Sequence, residues 1–206
     1  MAAIRKKPKG PVANVVELVA TVAVAIGLAL LIQAFLVKPY RIPSASMVPT
    51  LKVGQRILVS RLTTHPGLGD IVVFHPPAGA DSASPVCGNS TQGSNERIPC
   101  DAPTPTESQQ TFVKRVVGLP GDHLRITDGH VWRNGVEETG SYIQQCSVPQ
   151  DCTWPGTFKV PAGSYYMMGD NRGDSDDSRF WGPVPQKWLI GVAFATYWPL
   201  DRIGFF

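Results

Sequence analysis

The feature that most limits what this chain can become is an apolar run from Leu18 to Val37, broken only by Thr21, Gln33 and small residues. Twenty residues rising about 1.5 Å each reach roughly 30 Å, the thickness of the hydrocarbon layer of a bilayer. Neither face of the run is polar, which sets it apart from the amphipathic helix of a soluble domain. A cleaved secretory signal is the rival reading. Its apolar core would be shorter, about 7–15 residues, with a small-x-small site after it. The triplet Ala23-Val24-Ala25 lies inside the run, where a protease could not reach it. Arg5, Lys6, Lys7 and Lys9 precede the run. Their charge favours a cytoplasmic N-terminus with the rest of the chain on the far side, against the weaker opposition of Lys38 and Arg41. Pro39 pushes Lys38 out of the helical region and should end the helix. The expected organisation is a basic tail over 1–13, an anchor over 14–38 and an exported domain over 39–206.

Glycine and proline punctuate the exported part heavily, with Gly 20 and Pro 19 in the whole chain, and this favours strands and turns over a helical bundle. Short β-branched or aromatic runs predict strands at Arg56–Ser60, Ile71–Phe74, Phe112–Val117, His123–Ile126, Val131–Arg133, Tyr165–Met168 and Val192–Tyr197. Asn134-Gly135 reads as a hairpin turn. The fold class is therefore mainly β, antiparallel, behind one N-terminal transmembrane helix. From 76 to 110 the sequence is rich in Pro, Ser, Gly, Asn and Thr with no apolar period, and predicts a long, mobile inserted loop. A net charge of +3 is too small to argue for nucleic acid.

All four cysteines lie after the anchor, an even count that suits disulfides outside the cytosol. Local pairing, Cys87–Cys100 and Cys146–Cys152, is the simplest of three connectivities, and the spacings alone do not choose among them. They lack the CxxC pairs of a structural zinc site, so no metal is expected there.

Three segments carry chemistry. Ile42-Pro-Ser-Ala-Ser-Met-Val-Pro-Thr-Leu51 frames two serines between prolines that stiffen the turn. Taken alone, a serine-rich turn is usually only a turn. Phe112–Asp122 (FVKRVVGLPGD) interrupts an apolar strand with Lys114 and Arg115, whose side chains point to opposite faces. One of the two must point toward packing. A buried lysine can lose its proton and become a base, which arginine hardly can. The bland alternative is an edge strand with both heads reaching water. Gly169–Arg179 (GDNRGDSDDSR) is a loop of short polar residues that bond their own backbone. It fails as a calcium loop, because Arg172 occupies a ligand position, Ser175 replaces the turn glycine and no Glu closes it. Its Arg172-Gly173-Asp174 triplet is weak evidence of adhesion. G-x-S-x-G, H-E-x-x-H and phosphate-binding glycine motifs are absent from the sequence, and His65, His75, His123 and His130 stand outside any motif. A serine nucleophile here would find its base in Lys114.

These segments, in this order behind an N-terminal anchor, resemble the sequence boxes of bacterial type I signal peptidases. Gly69-Asp70-Ile-Val-Val-Phe74 resembles a further box. The resemblance implies a mostly antiparallel catalytic core with a smaller β region at about 122–165. It implies Ser46 as nucleophile and Lys114 as general base and acid. The Ser44 hydroxyl and Ser46 N–H would form the oxyanion hole. Ser175 would orient the lysine, and Asp170, Asp177 and Arg179 would support the loop. Ile42, Pro43, Met47, Leu51, Phe112 and Val113 would line shallow substrate pockets that admit Ala. The Cys146/Cys152 spacing is similar to a disulfide of some members, whereas Cys87/Cys100 is outside the common pattern. Members often carry Asp-Asn where this chain has Gly173-Asp174, and the extra carboxylate could raise the lysine pKa.

The implied activity is a membrane-bound serine endopeptidase that cuts exported preproteins at Ala-x-Ala sites. It needs no metal or cofactor and works beside membrane lipid and near the secretion translocon. Trp181, Trp188, Phe205 and Phe206 are candidates for the lipid interface, with core packing the competing role. Two other functions fit the residues less closely: a serine-lysine hydrolase of narrower substrate range, and a membrane-anchored β domain that only binds.

Overall fold

In a computed structural model, residues 10–63, 65–82, 86–93, 98–148 and 152–206 are described. The chain divides into two compact units, residues 1–38 and 39–206. The first contains helix α1, Pro11–Phe35. Pro11 starts it, where a missing N–H leaves no bond unmade. Residues Pro11–Ile32 are long and apolar enough to cross a membrane. The helix begins before residue 14 and stops before Pro39, because Val37–Arg41 already runs as strand β1.

The second unit holds two antiparallel sheets. The larger is built from β1 and from β2 (Arg56–Ser60), β3 (Ile71–Phe74), β4 (Phe112–Gly118), β9 (Ser164–Met168), β10 (Val184–Pro185), β11 (Leu189–Trp198) and β12 (Gly204–Phe205). Its order is β1-β2-β11-β3-β4-β9-β10, with β12 paired to β11. The smaller contains β5 (His123–Thr127), β6 (His130–Arg133), β7 (Val136–Glu137) and β8 (Trp154–Lys159), in the order β7-β6-β5-β8.

Every run read as a strand is one, but β1, β7, β8, β10 and β12 escaped the sequence reading. The reason is positional. β1, β8 and β10 each contain a proline, which argues against a strand in sequence yet is tolerated at a sheet edge, and each closes one end of its sheet. Asn134 and Gly135 both have positive φ, 52° and 84°, as a two-residue hairpin loop between β6 and β7 requires.

β3 shows why four consecutive apolar residues were needed. Val72 and Phe74 pack into one cluster with Val116, Met167, Trp181 and Trp188, while Ile71 and Val73 pack into another with Ile42, Met47, Leu51 and Ile57. β9 is buried throughout for the same reason. Its Tyr166 and Met168 meet Leu124, Ile126 and Trp154 of the smaller sheet. Trp181 and Trp188 are thus core residues, not interface ones.

The 76–110 insertion is not a free loop. Ala80 joins the core, and bonds from Ala78 N–H to Thr106 O (2.8 Å) and Ser108 N–H to Pro76 O (2.7 Å) zip its stem. Cys87 is bonded to Cys100 and Cys146 to Cys152, with Cα separations of 5.8 and 6.2 Å.

Candidate active site

The serine turn is held down by its apolar members. Ile42, Met47 and Leu51 are almost fully buried, which leaves Ser44 exposed and Ser46 half-buried between them. The Ser44 hydroxyl donates to Ser46 Oγ at 3.3 Å. Ser46 N–H has no intramolecular partner among the described residues, and the Ser46 carbonyl accepts from Asn171 N–H at 3.1 Å. Asn171 Nδ2 also donates to Ala45 O at 3.3 Å. The polar loop therefore fixes the serine turn from behind and leaves Ser46 N–H without a partner among the described residues, while the Ser44 hydroxyl is turned onto Ser46 Oγ.

Lys114 and Arg115 depart from the expectation that one of them would point toward packing. Both are buried, 4% and 9% exposed. Each face of β4 offers a polar partner, so neither head reaches for water. Lys114 Nζ donates to Ser175 Oγ at 2.9 Å. Arg115 grips Asp170 with Nε and Nη2 at 2.7 and 2.6 Å and donates to Gly69 O. Asp170 also accepts from the Thr50 hydroxyl, so this pair ties the end of the serine turn to β4. The role of Arg115 as a buried tie between β4 and Asp170 escaped the sequence reading. Its signal was there: a fixed positive charge needs a carboxylate once buried.

Burial lowers the Lys114 pKa from 10.5 to about 8. The carboxylates of Asp177, Asp176 and Asp174 work against that shift and Arg179 works with it, with Asp174 the weakest of the four. Burial would raise the Asp177 pKa, but the charge and hydrogen bonds of Arg179 hold it below its ordinary value. Arg179 Nε and Nη2 reach the two Asp177 oxygens at 2.7 and 2.9 Å, and Nη2 also donates to the Ser175 carbonyl at 3.1 Å. Asp177 in turn accepts from Gly169 N–H. A Cβ at Gly169 would overlap both Ser175 Oγ and the Ser46 carbonyl, so only glycine lets the loop come this close.

These groups border one cavity of about 500 Å³. Ser44, Ser46, Lys114 and Ser175 line it together with Ile42, Pro43, Met47, Phe112 and Val113. Leu51 does not. It is fully buried beneath the turn, packed with Ile57, Ile71 and Val73, and its N–H bonds to Met47 O. Sequence reading missed Phe180 and Asp176 at the wall. The Arg172-Gly173-Asp174 triplet is not displayed, because Arg172 is 1% exposed and bonded to both oxygens of Glu138 and to the carbonyls of Gly169 and Gly129.

The profile of the family described as "Signal peptidase, peptidase S26" matches residues 15–198. The chain belongs to that family. It is 38% identical to the signal peptidase I of Leptolyngbya laminosa, over 91% of this chain and 82% of that protein. A probable signal peptidase I-2 of Synechocystis sp. is 34% identical over 97% of this chain and 81% of its own. The signal peptidase I P of Bacillus subtilis subsp. natto is 29% identical over 96% of each. This signal peptidase is a serine endopeptidase that removes signal peptides from preproteins, and its apolar helix α1 agrees with association with a membrane.

Proposed function

We propose that this signal peptidase cuts exported preproteins at Ala-x-Ala sites in the cavity between the serine turn and β4, through Ser46 and Lys114. The observation that carries the reading is Lys114. It is a buried amine, held by Ser175 in a cavity it shares with a serine whose backbone N–H has no partner among the described residues. Neutral Lys114 takes the Ser46 proton as Oγ attacks the substrate carbonyl. The oxyanion forms beside Ser46 N–H and the Ser44 hydroxyl. The Lys114 ammonium then protonates the leaving amine as the C–N bond breaks, and an ester to Ser46 remains. Water, giving a proton to Lys114, attacks that ester. The signal peptide leaves with a carboxylate and Ser46 regains its proton. With a pKa of about 8, about a tenth of Lys114 is neutral at pH 7.

The sheet supports an extended substrate. Phe112–Lys114 pair with β3 on one side, while β9 pairs with β4 only from Arg115 onward. One edge of Phe112–Lys114 is therefore open to an added strand. Residues one and three positions before the cut would then meet the apolar wall together. Ser175, Asp170, Asp177 and Arg179 act as supports that hold the lysine and the loop.

In this reading the basic N-terminus is cytoplasmic, α1 is the anchor in the cytoplasmic membrane, and residues 39–206 work on the far face near the secretion translocon. Exposed Trp198, Leu200, Ile203 and Phe205 offer that unit a surface for membrane lipid. Protease protection of N- and C-terminal tags in sealed vesicles tests the orientation; a protected C-terminal tag in inside-out vesicles is expected, and an accessible one refutes it. The activity is tested by cleavage of a preprotein with an Ala-x-Ala site in detergent. Ser46→Ala and Lys114→Ala should each abolish cutting at the expected bond in a folded protein. Retained cutting by Ser46→Ala would move the nucleophile elsewhere.

A further inference from the structure

The insertion at 76–110 has no part in the chemistry above, yet its described residues press on the wall of the cavity. Cys100 N–H donates to Arg179 O at 3.1 Å. A Cβ at Gly93 would come 2.8 Å from Phe180 O. A Cβ at Gly182 would come 2.9 Å from the Ala102 carbonyl carbon and 3.0 Å from Cys100 Sγ. All three contacts fall on the short helix α2 (Ser178–Trp181) and the glycine that caps it. That helix carries the aromatic wall. Phe180 lines the cavity itself. Trp181, fully buried, meets Phe112 edge-on with ring centroids 6.4 Å apart, and Phe112 lines the cavity as well.

We infer that the Cys87–Cys100-stapled insertion sets substrate selectivity, by holding Phe180 and Trp181 from behind so that the cavity cannot widen for side chains larger than Ala. An apolar pocket separates ligands that differ by a methylene group by only about 10–200-fold, and only while its walls do not yield. α2 is too short to be rigid by itself, a single turn of four residues. Core packing of Trp181 and the bond from Met167 N–H to Ser178 Oγ hold its inner side, and the insertion braces its outer side. Its disulfide closes the segment on itself, and Gln92 adds a second clasp by exchanging bonds of 3.1 and 2.9 Å with Asp101. Cys87, Cys100 and Gln92 are positioning residues, since none of them lines the cavity.

This inference rests on the reading of the cavity as the cleavage site, and the test separates the two. Full-length protein in detergent is given two preproteins that differ only in Ala or Val at the residue before the cut. The unaltered protein should prefer Ala. The double variant Cys87→Ser/Cys100→Ser, and independently Gln92→Ala, should raise kcat/KM for Val relative to Ala by about fivefold or more. kcat on the Ala substrate should stay within about twofold. Loss of activity on both substrates in equal proportion, or an unchanged ratio in a folded variant, would overturn the inference. If the double variant does not fold, Gln92→Ala decides. Failure of the unaltered protein to cut either substrate would overturn the cavity assignment as well.

Discussion

Replacing Lys114 by Met should destroy the activity and make the protein more stable. The fall of the Lys114 pKa from 10.5 to about 8 corresponds to about 3 kcal/mol of differential interaction, and the group is buried, so solvent screening does not reduce it. The sign follows from proton counts. Between about pH 8 and 10.5 the unfolded chain holds the lysine proton and the folded chain has released it, so stability rises with pH across that window. Below pH 8 both states are protonated and the folded state carries the whole penalty. Methionine has a similar unbranched shape and no charge to desolvate. It loses the bond to Ser175, about 1 kcal/mol. The net gain at pH 7 is therefore about 2 kcal/mol. Urea unfolding followed by tryptophan fluorescence, on full-length protein in detergent at pH 7, 9 and 10.5, measures it. The variant should be the more stable at pH 7, and the gap should shrink as pH rises through the window. A variant less stable at pH 7, or a gap that does not change with pH, would refute the view that burial sets the state of this amine.

If Lys114 is the base, as proposed, the acid limb of the kcat/KM profile should have an apparent pKa near 8, the pKa of the Lys114 amine, since only a neutral amine accepts a proton. Asp174→Asn should move that limb slightly downward, since the Asp174 carboxylate raises the Lys114 pKa; an upward move would contradict the sign. Ser44→Ala should cost about 3 kcal/mol in transition-state stabilisation, roughly a hundredfold in kcat, with the fold intact. Gly169→Ala should lower kcat far more than its unfolding midpoint, because the new methyl group displaces Ser175 and the Ser46 carbonyl together; equal kcat would show that the loop has room to spare.

Much of this architecture could be read from local pattern, and what could not depends on partners far along the chain. The run Ile71–Phe74 declares a strand buried on both faces through its unbroken apolar composition. The edge strands at Val37–Arg41 and Trp154–Lys159 do not, since their prolines are permitted only by a position in the sheet that sequence does not display. The three chemical segments were visible as resemblances, but the bonds between them were not. Thr50 meets Asp170, and Arg172 meets Glu138, across chain separations of 120 and 34 residues. Leu51 illustrates the limit from the other side: an apolar residue in a functional segment can serve the core instead of the pocket. Burial of both Lys114 and Arg115 was illegible because alternation assigns faces, whereas each face here brings its own carboxylate or hydroxyl.

The place of β11 has a consequence for the timing of assembly. β2 follows the serine turn directly, and β3 is the partner of the lysine strand, yet these two neighbours in sequence are not adjacent in the sheet. Leu189–Trp198 lies between them and pairs with both. The half of the sheet that bears Ser46 and the half that bears Lys114 are thus joined by a segment that leaves the ribosome after both. A nascent chain that stops short of it lacks the strand that pairs with both β2 and β3, although the Thr50–Asp170–Arg115 contacts between the serine turn and β4 lie wholly before it. The sheet is therefore completed only when its last long strand is in place, and the central pairing of the domain is among the last parts of the chain to be made.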